Sequence, residues 1–196
     1  MVSHTFYTQH TEEFYDFYKN KMIFLDAKPN KAHLKLAEME RAGKLSAIVT
    51  QNIDGLHQAA GSKNVFELHG SVHRNYCQKC GKFFDVNYVV NAKGVPYCDE
   101  CGGIIKPDVV LYEEGLDSQT INGAVRAISK ADMLIIGGTS LVVYPAAGMI
   151  DYFKGKYLAV LNRDATSRDK QADLCITDSI GEVSGKNQGI KMKKRI

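Results

Sequence analysis

The chain has 196 residues, which fits one domain or one domain with a small insert. Its hydrophobic content of 44%, charged content of 24% and net charge of +3 are typical of globular proteins, and the charge is too mild to indicate a membrane or a specific nucleic acid as a partner. The sequence has no apolar run near the roughly 20 residues that span a bilayer and no signal-peptide pattern at its start, so we expect a cytoplasmic protein.

The first 72 residues predict short helices and strands. Apolar residues recur at helical spacing after Thr11, which can cap a helix. Pro29 and Asn30 indicate the start of a second helix. The pattern predicts a helix over 11–25, a helix from Asn30 to Gly43, a strand over 45–49, a brief helix over 55–60 and an extended segment over 65–68.

Residues 73–103 lack this periodicity, and an alternation of strands and helices resumes after them. We predict strands over 108–112, 133–136, 157–161 and 173–176, with helices over 118–131 and 145–153. Apolar runs that alternate with helices are typical of an α/β fold, here a Rossmann-like, mostly parallel sheet with helices on both faces. The predicted domains are the Rossmann-like domain over 1–72 and 104–184, a small zinc ribbon over 73–103, and a basic tail over 185–196.

Four cysteines in the insert have the spacing of a zinc site. Cys77 and Cys80 form one CxxC pair, and Cys98 and Cys101 form a second. Two residues between cysteines let both sulfurs face one ion, and four thiolates complete a tetrahedron without a position for water. We therefore predict one structural zinc ion, whereas Cys175, inside an apolar run, is interpreted as a small core residue.

Three polar segments follow predicted strands. They are Thr50–Asp54, Gly137–Ser140 and Asn162–Asp164, and open parallel sheets bind ligands beyond the carboxyl ends of their strands. Each segment alone is more often an ordinary turn, but three together favour a nucleotide. The sequence contains no GxGxxG dinucleotide pattern.

His69, between Leu68 and Gly70, is the best candidate for a general base because imidazole titrates near neutrality. The alternative is a histidine that only makes structural hydrogen bonds, which is the interpretation we give His57 and His33. The residues by themselves thus indicate a nucleotide-binding α/β domain with a zinc ribbon, an enzyme that uses one histidine.

The motifs, in order, resemble those of the sirtuin family of NAD-dependent protein deacylases. They are TQNIDGLHQAAGS, ELHG, the two CxxC pairs, KPDVVLYEE, GGTSLVVYPAAG and LNRD, and they extend over about residues 3–183. The family pattern also contains GAG-x-S and then FRG or FRS ahead of these motifs, and the 196 residues contain neither. We therefore expect this chain to lack the family's first strand and glycine loop, to bind NAD poorly and to be less stable than a complete relative.

The resemblance implies a set of site residues. His69 would be the catalytic base and Asn52 would hold the nicotinamide ribose and a water. NAD would be bound by Gln51, Asn52, Ile53 and Asp54 at its nicotinamide end, and by Gly138, Thr139, Ser140, Asn162 and Ile180 at its phosphates and adenosine, with Ile180 in a loop. An extended acyl-lysine peptide would lie between Val109, Val110, Leu111, Tyr112, Glu113 on one side and Leu141, Val142, Val143, Tyr144 on the other.

The implied activity is NAD-dependent deacetylation of protein lysine, with transfer of the acetyl group to ADP-ribose and release of nicotinamide. The implied partner is an acetyl-lysine protein or peptide. Family members that remove succinyl or malonyl groups carry a Tyr-x-x-Arg pair that here reads Tyr15 to Tyr18, which favours a neutral acyl group. The alternatives are a protein mono-ADP-ribosyltransferase and an inactive truncated sirtuin that acts as a binding module.

Overall fold

The computed structural model describes residues 1–185. The helices are α1 (His4–Gln9), α2 (Thr11–Lys21), α3 (Lys31–Arg41), α4 (Leu56–Ala59), α5 (Val86–Asn91), α6 (Ser118–Lys130) and α7 (Ile180–Gly185), with 3-10 helices at Ala146–Tyr152 and Asp169–Gln171. The strands are β1 (Ile48–Thr50), β2 (Val65–Glu67), β3 (Gly70–Cys77), β4 (Phe83–Phe84), β5 (Ile105–Val109), β6 (Met133–Gly137), β7 (Tyr157–Leu161) and β8 (Leu174–Ile176).

The chain forms two compact units, which are described separately below. The cysteine unit comprises Met1–Ala27, Thr50–Leu56 and Glu67–Ser118. The parallel-sheet unit comprises Lys28–Val49, His57–Phe66 and the chain from Gln119 onward. The predicted domain boundaries stay a prediction; of the predicted tail over 185–196, only Gly185 lies within the described residues, as the last residue of α7.

The cysteine unit packs an antiparallel sheet, in the order β4-β3-β5, with α1, α2 and α5. Its core is rich in tyrosine and phenylalanine. On α2, Phe14 and Tyr15 precede Tyr18 by four and three residues, so these side chains lie on the same side of the helix. Tyr7 on α1 packs against them, and all four side chains are at most 2% exposed. The hydroxyl of Tyr15 donates to the Ile105 carbonyl, so α2 is joined to β5 by a buried hydrogen bond.

The helices α1 and α3 begin at capping residues, whereas α2 follows His10, whose side chain makes no capping hydrogen bond. The expectation that Thr11 caps this helix is wrong, since Thr11 is its first residue and its hydroxyl donates to the Tyr7 carbonyl. The Ser3 hydroxyl accepts a hydrogen bond from the Phe6 amide at 3.1 Å and starts α1, a helix that the sequence pattern did not predict. The second helix begins at Asn30 as predicted, and Asn30 caps it, because its side chain accepts hydrogen bonds from the amides of Ala32 and His33.

The parallel-sheet unit contains a parallel sheet in the order β6-β7-β8. Met133 pairs with Tyr157 and Ala159 with Leu174, and the pairing continues without a shift along each strand. Ile136, Leu158 and Val160 form a buried cluster, as is typical of strands covered on both faces. These strands lie where they were predicted, and the α/β fold class is confirmed.

Several predictions differ from the structure. The strand predicted over 45–49 lies at Ile48–Thr50, and the helix predicted over 11–25 ends at Lys21. The interpretation of Cys175 as a core residue is wrong, because Cys175 is exposed. The segment over 145–153 forms a 3-10 helix, in which Gly148 donates to the Pro145 carbonyl three residues back, after a cis peptide bond between Tyr144 and Pro145. The strand predicted over 108–112 lies at 105–109, because the edge strand β5 tolerates Pro107, which has no amide hydrogen to donate. Within residues 1–185, no helix has the length and apolarity of a membrane span.

Candidate functional site

The backbone of the loop after β1 is held by hydrogen bonds to side chains of the loop and to β3. The Asn52 amide donates to the Thr50 hydroxyl at 3.1 Å, and the Ile53 carbonyl accepts from the Val72 amide at 3.0 Å. The Asp54 carboxylate accepts from the Leu56 amide at 2.9 Å and so begins α4. Because these bonds fix the backbone, the exposed side chain of Asn52 can be used for a ligand.

The same loop orients His69. The Nδ1 of His69 donates to the backbone carbonyl of Gln51 at 3.0 Å. A carbonyl oxygen can only accept a hydrogen bond, so the neutral imidazole carries its proton on Nδ1. The lone pair is therefore on Nε2, and the half-buried ring is set up to receive a proton there.

Gly70 brings the backbone of His69 against β5. Its φ is +74°, and a Cβ built on it would lie 1.8 Å from the carbonyl oxygen of Asp108. Only glycine fits such a contact with backbone. The close approach lets the Val110 amide donate to the His69 carbonyl at 3.0 Å, so the base candidate is held between the loop after β1 and the end of β5.

A cavity of about 590 Å³ lies in the parallel-sheet unit at the carboxyl ends of β6 and β7. Three of the predicted residues line it, namely Gly138, Asn162 and Ile180. The other lining residues are Asn30, Lys31, Leu161, Arg163, Asp164, Asp178, Ser179, Gly181 and Glu182. The volume is within the range of about 300–1,000 Å³ that is usual for small-molecule sites.

The prediction that Ile180 lies in a loop is wrong, since Ile180 is the first residue of α7. Its side chain packs on Gly137, where its Cδ1 occupies the space that a side chain at that position would need. This contact places the start of α7 at the cavity. Sequence reasoning missed the charged wall of the cavity: only Arg163 and Asp164, in the polar run after β7, carried a signal.

The remaining predicted residues lie in loops of their own units. Thr139 and Ser140 follow Gly138 but do not line the cavity, and the Thr139 hydroxyl accepts from the Leu141 amide at 3.2 Å. Large exposed side chains follow, with Val142 71% and Tyr144 73% exposed. In the cysteine unit, β5 ends at Val109, and the predicted peptide-flanking residues there continue as Val110, Leu111, Tyr112 and Glu113, of which Tyr112 is exposed and Leu111 buried.

The four predicted metal ligands come together in the cysteine unit. Their sulfur atoms all lie within 4.8 Å of one another, with 3.3 Å between Cys77 and Cys101 and 3.7 Å between Cys80 and Cys98. Four sulfurs at 2.3 Å from a tetrahedral zinc ion are about 3.8 Å apart, so the donor set and its spacing fit zinc.

The four thiols do not ionise equally. Burial opposes ionisation of Cys77, but the backbone N–H groups of Cys80 and Lys79 outweigh it and lower the pKa of Cys77 to about 6. The Lys82 amide favours ionisation of Cys80, yet the adjacent thiols raise the pKa of Cys80 to about 12. A positive ion between the sulfurs would favour four thiolates, and zinc would supply that charge.

Comparisons with known proteins give the family. The model of the Sir2 family matches residues 1–145. The "NAD-dependent protein deacetylase" of Clostridium acetobutylicum is 66% identical over 184 residues, covering 93% of this chain and 75% of that protein. The protein of the same name from Clostridium perfringens is 64% identical over 187 residues, covering 95% and 77%.

Solved structures agree in fold. The structure described as "Sir2-p53 peptide-NAD+" matches with a TM-score of 0.87 and 40% identity over 94% of this chain and 79% of that chain. The structure described as "Sir2 bound to acetylated peptide" matches with a TM-score of 0.85 and 39% identity over 93% of this chain and 79% of that chain. On its sequence, its fold and its four-cysteine cluster, the chain belongs to the Sir2 family, the sirtuins.

Proposed function

We propose that this protein is an NAD-dependent protein-lysine deacetylase, in which the acetyl group passes from lysine to ADP-ribose and nicotinamide is released. Family membership and the names of the close relatives support the activity. The observation that carries the assignment to named residues is the hydrogen bond from Nδ1 of His69 to the Gln51 carbonyl, because it leaves Nε2 as a proton acceptor.

In this proposal His69 is the general base. NAD, when bound, supplies the ribose that accepts the acetyl group. The Nε2 of His69 would take the proton from a ribose hydroxyl, while the Nδ1–H would remain hydrogen-bonded to the Gln51 carbonyl and keep the ring in one orientation. A base of this kind contributes about 10²–10⁴-fold to a rate.

The loop after β1 would hold the nicotinamide end. The backbone carbonyl of Ile53 accepts a hydrogen bond from the Val72 amide, and the backbone carbonyl of Asp54 lies 3.1 Å from Nε2 of His73. These contacts hold the loop in place without a ligand. Preorganisation of this type lowers the entropy cost of binding. Asn52, exposed in this rigid loop, would contact the nicotinamide ribose.

The cavity of the parallel-sheet unit would hold the adenosine end. The side-chain NH₂ of Asn162 donates to the Asp164 carbonyl at 3.0 Å. This bond engages the NH₂ group, so the amide oxygen of Asn162 is the group that would accept from a sugar hydroxyl. Gly138 and Ile180 line the same cavity and would contact the phosphates and the adenine. Thr139 and Ser140, beside Gly138, would contact the phosphates and the ribose.

The protein substrate would present an acetyl-lysine in an extended segment. The structure described as "Sir2 bound to acetylated peptide" supports a peptide ligand for this fold. Tyr18 stands where an arginine would be needed for an acidic acyl group, and it is fully buried in the aromatic core, where burial raises the pKa of its hydroxyl. An acidic acyl group thus has no cation at this position, and we expect a rate on acetyl peptide at least about tenfold above that on succinyl peptide.

Zinc would have a structural role. Cys77 and Cys98 belong to the same buried cluster as the aromatic core of α1 and α2, so the metal site is part of the packing of the cysteine unit. Four thiolates leave no position for substrate.

The test is an assay of deacetylation of an acetyl-lysine peptide in the presence of NAD. The readouts are the release of nicotinamide and the mass of the peptide. His69→Ala should lose the reaction, and His10→Ala, which removes an exposed histidine of the same unit, should not change it. Nicotinamide release by the wild-type protein without loss of acetyl would indicate ADP-ribosyl transfer instead. Full activity of His69→Ala would overturn the proposed role of His69.

A further inference from the structure

Two residues other than glycine have a positive φ among residues 1–185, namely Glu113 at 77° and Leu141 at 56°. Each lies in one of the two segments that are proposed to flank the substrate peptide. A side chain disfavours this conformation, and it persists only where the surroundings hold it in place. The surroundings of Glu113 show how this is done.

Glu113 is the third residue of a tight turn. The Glu114 amide donates to the Leu111 carbonyl at 3.1 Å and closes a four-residue turn over 111–114. A positive φ at the third position is the mark of a type II turn, which selects glycine at that position. Glutamate therefore occupies a position that its own backbone preference opposes.

The side chain of Glu113 holds the turn from outside. Its Oε2 accepts hydrogen bonds from the Thr5 amide at 2.8 Å and from the Thr5 hydroxyl at 2.7 Å. These two donors lower the pKa of Glu113, so the carboxylate is ionised at neutral pH. The contact joins the turn to the first turn of α1, 108 residues earlier in the chain.

Further bonds hold the same turn on either side of Glu113. The Tyr112 amide donates to the Val2 carbonyl at 3.0 Å, and the His4 amide donates to the Tyr112 carbonyl at 2.9 Å. The Glu114 carboxylate accepts from the Leu111 amide at 2.9 Å and contacts His4 Nδ1 at 2.9 Å. The Lys106 ammonium also donates to this carboxylate at 3.2 Å.

We propose that Glu113 is a positioning residue, whose carboxylate, bound by Thr5, keeps the turn over 111–114 in its positive-φ form and so fixes the wall that flanks the acyl-lysine peptide. This inference rests on the proposed function for its substrate. The turn directly follows Val110, whose amide is bonded to the His69 carbonyl, so the wall and the base share one stretch of backbone.

The experiment compares Glu113→Ala with Glu113→Gly. Alanine removes the carboxylate but keeps the backbone penalty, whereas glycine removes the carboxylate and the penalty together. We expect Glu113→Ala to raise the KM for the acetyl-lysine peptide about fivefold or more, with kcat and the KM for NAD unchanged. Glu113→Gly should recover most of the wild-type KM. Glu13→Ala, which removes an exposed glutamate of α2 in the same unit, is the matched control.

Hydrogen exchange supplies a readout that does not depend on activity. The Glu114 amide, which closes the turn, should exchange faster in Glu113→Ala and near the wild-type rate in Glu113→Gly. An unchanged peptide KM and unchanged exchange in Glu113→Ala would overturn the inference. So would a Glu113→Gly protein as impaired as Glu113→Ala, because the carboxylate would then act by contact with the substrate and not through the backbone. If the wild-type protein proves inactive, the proposed function fails, while the exchange rates still test the role of Glu113 in the turn.

Discussion

Substitution of Gly70 by alanine should strongly destabilise the cysteine unit. The new Cβ would lie 1.8 Å from the Asp108 carbonyl, which is backbone and cannot rotate away, so β3 and β5 must separate there. The positive φ costs about 1–2 kcal/mol for alanine. Loss of the Val110–His69 hydrogen bond and of one neighbouring ladder bond costs about 0.5–1.5 kcal/mol each. The expected loss in the free energy of unfolding is together about 2–5 kcal/mol.

Urea unfolding of the zinc-loaded protein, followed by tyrosine fluorescence, measures this loss. The sequence has no tryptophan, and seven of its ten tyrosines, among them the buried Tyr7, Tyr15 and Tyr18, lie in the cysteine unit, so most of the signal reports on that unit. Gly94→Ala is the matched control, because its φ is +66° and nothing lies within 4 Å of the added Cβ. It should lose only the backbone penalty of about 1–2 kcal/mol. Equal losses in the two variants would refute the argument from the close contact, and Gly70→Ala should also lose deacetylation because His69 is displaced.

Three further predictions concern the metal, the pH dependence and the cavity. Cys98→Ser should lose zinc, as measured by metal analysis, and its cysteine unit should unfold. The control Cys175→Ser should keep its zinc and its fold. A Cys98→Ser protein that keeps its zinc would contradict the four-cysteine site. Burial would raise the pKa of Glu114, but hydrogen bonds to the Leu111 amide, His4 and Lys106 hold this pKa below the usual 4.5. The ionised carboxylate therefore stabilises the fold above about pH 4.5, and this stabilisation is lost as the pH falls through the pKa of the folded state. Glu114→Gln should therefore flatten the fall in stability below about pH 4.5 in an acid-unfolding series, and an unchanged slope would refute this. Asn162→Ala should raise the KM for NAD about fivefold, the equivalent of one hydrogen bond, with no change in the KM for the peptide. Steady-state kinetics at varied NAD measures this, and an unchanged KM for NAD would contradict the proposed contact.

Features that depend on neighbouring residues were predictable from the sequence. The CxxC pairs bring two sulfurs together within four residues, and the structure places all four sulfurs within 4.8 Å. The strands β6, β7 and β8 were predicted correctly because each is a short apolar run between helical segments. The start of α3 at Asn30 was predicted from the proline before it and the apolar residues at helical spacing after it.

Features that depend on distant residues were not predictable. The polar segment after β1 indicated a ligand site, but nothing in that segment shows that the Gln51 carbonyl accepts a hydrogen bond from Nδ1 of His69. Likewise, no local signal placed Ile180 on a helix or made it pack against Gly137. The strand predicted over 108–112 was displaced because the pattern of apolar residues continues into the turn over 111–114.

The order of the motifs and the spacing of the cysteines, which are properties of the chain alone, determined the family, the fold class and the metal-binding residues. The tertiary structure decided the tautomer of His69, the residues that line the cavity and the conformation of Glu113. The physical reason is that periodicity and ligand spacing act over a few residues, whereas a proton on Nδ1 or a positive φ is selected by a partner far away in sequence. Thr5 and Glu113, 108 residues apart, meet only when the chain is folded.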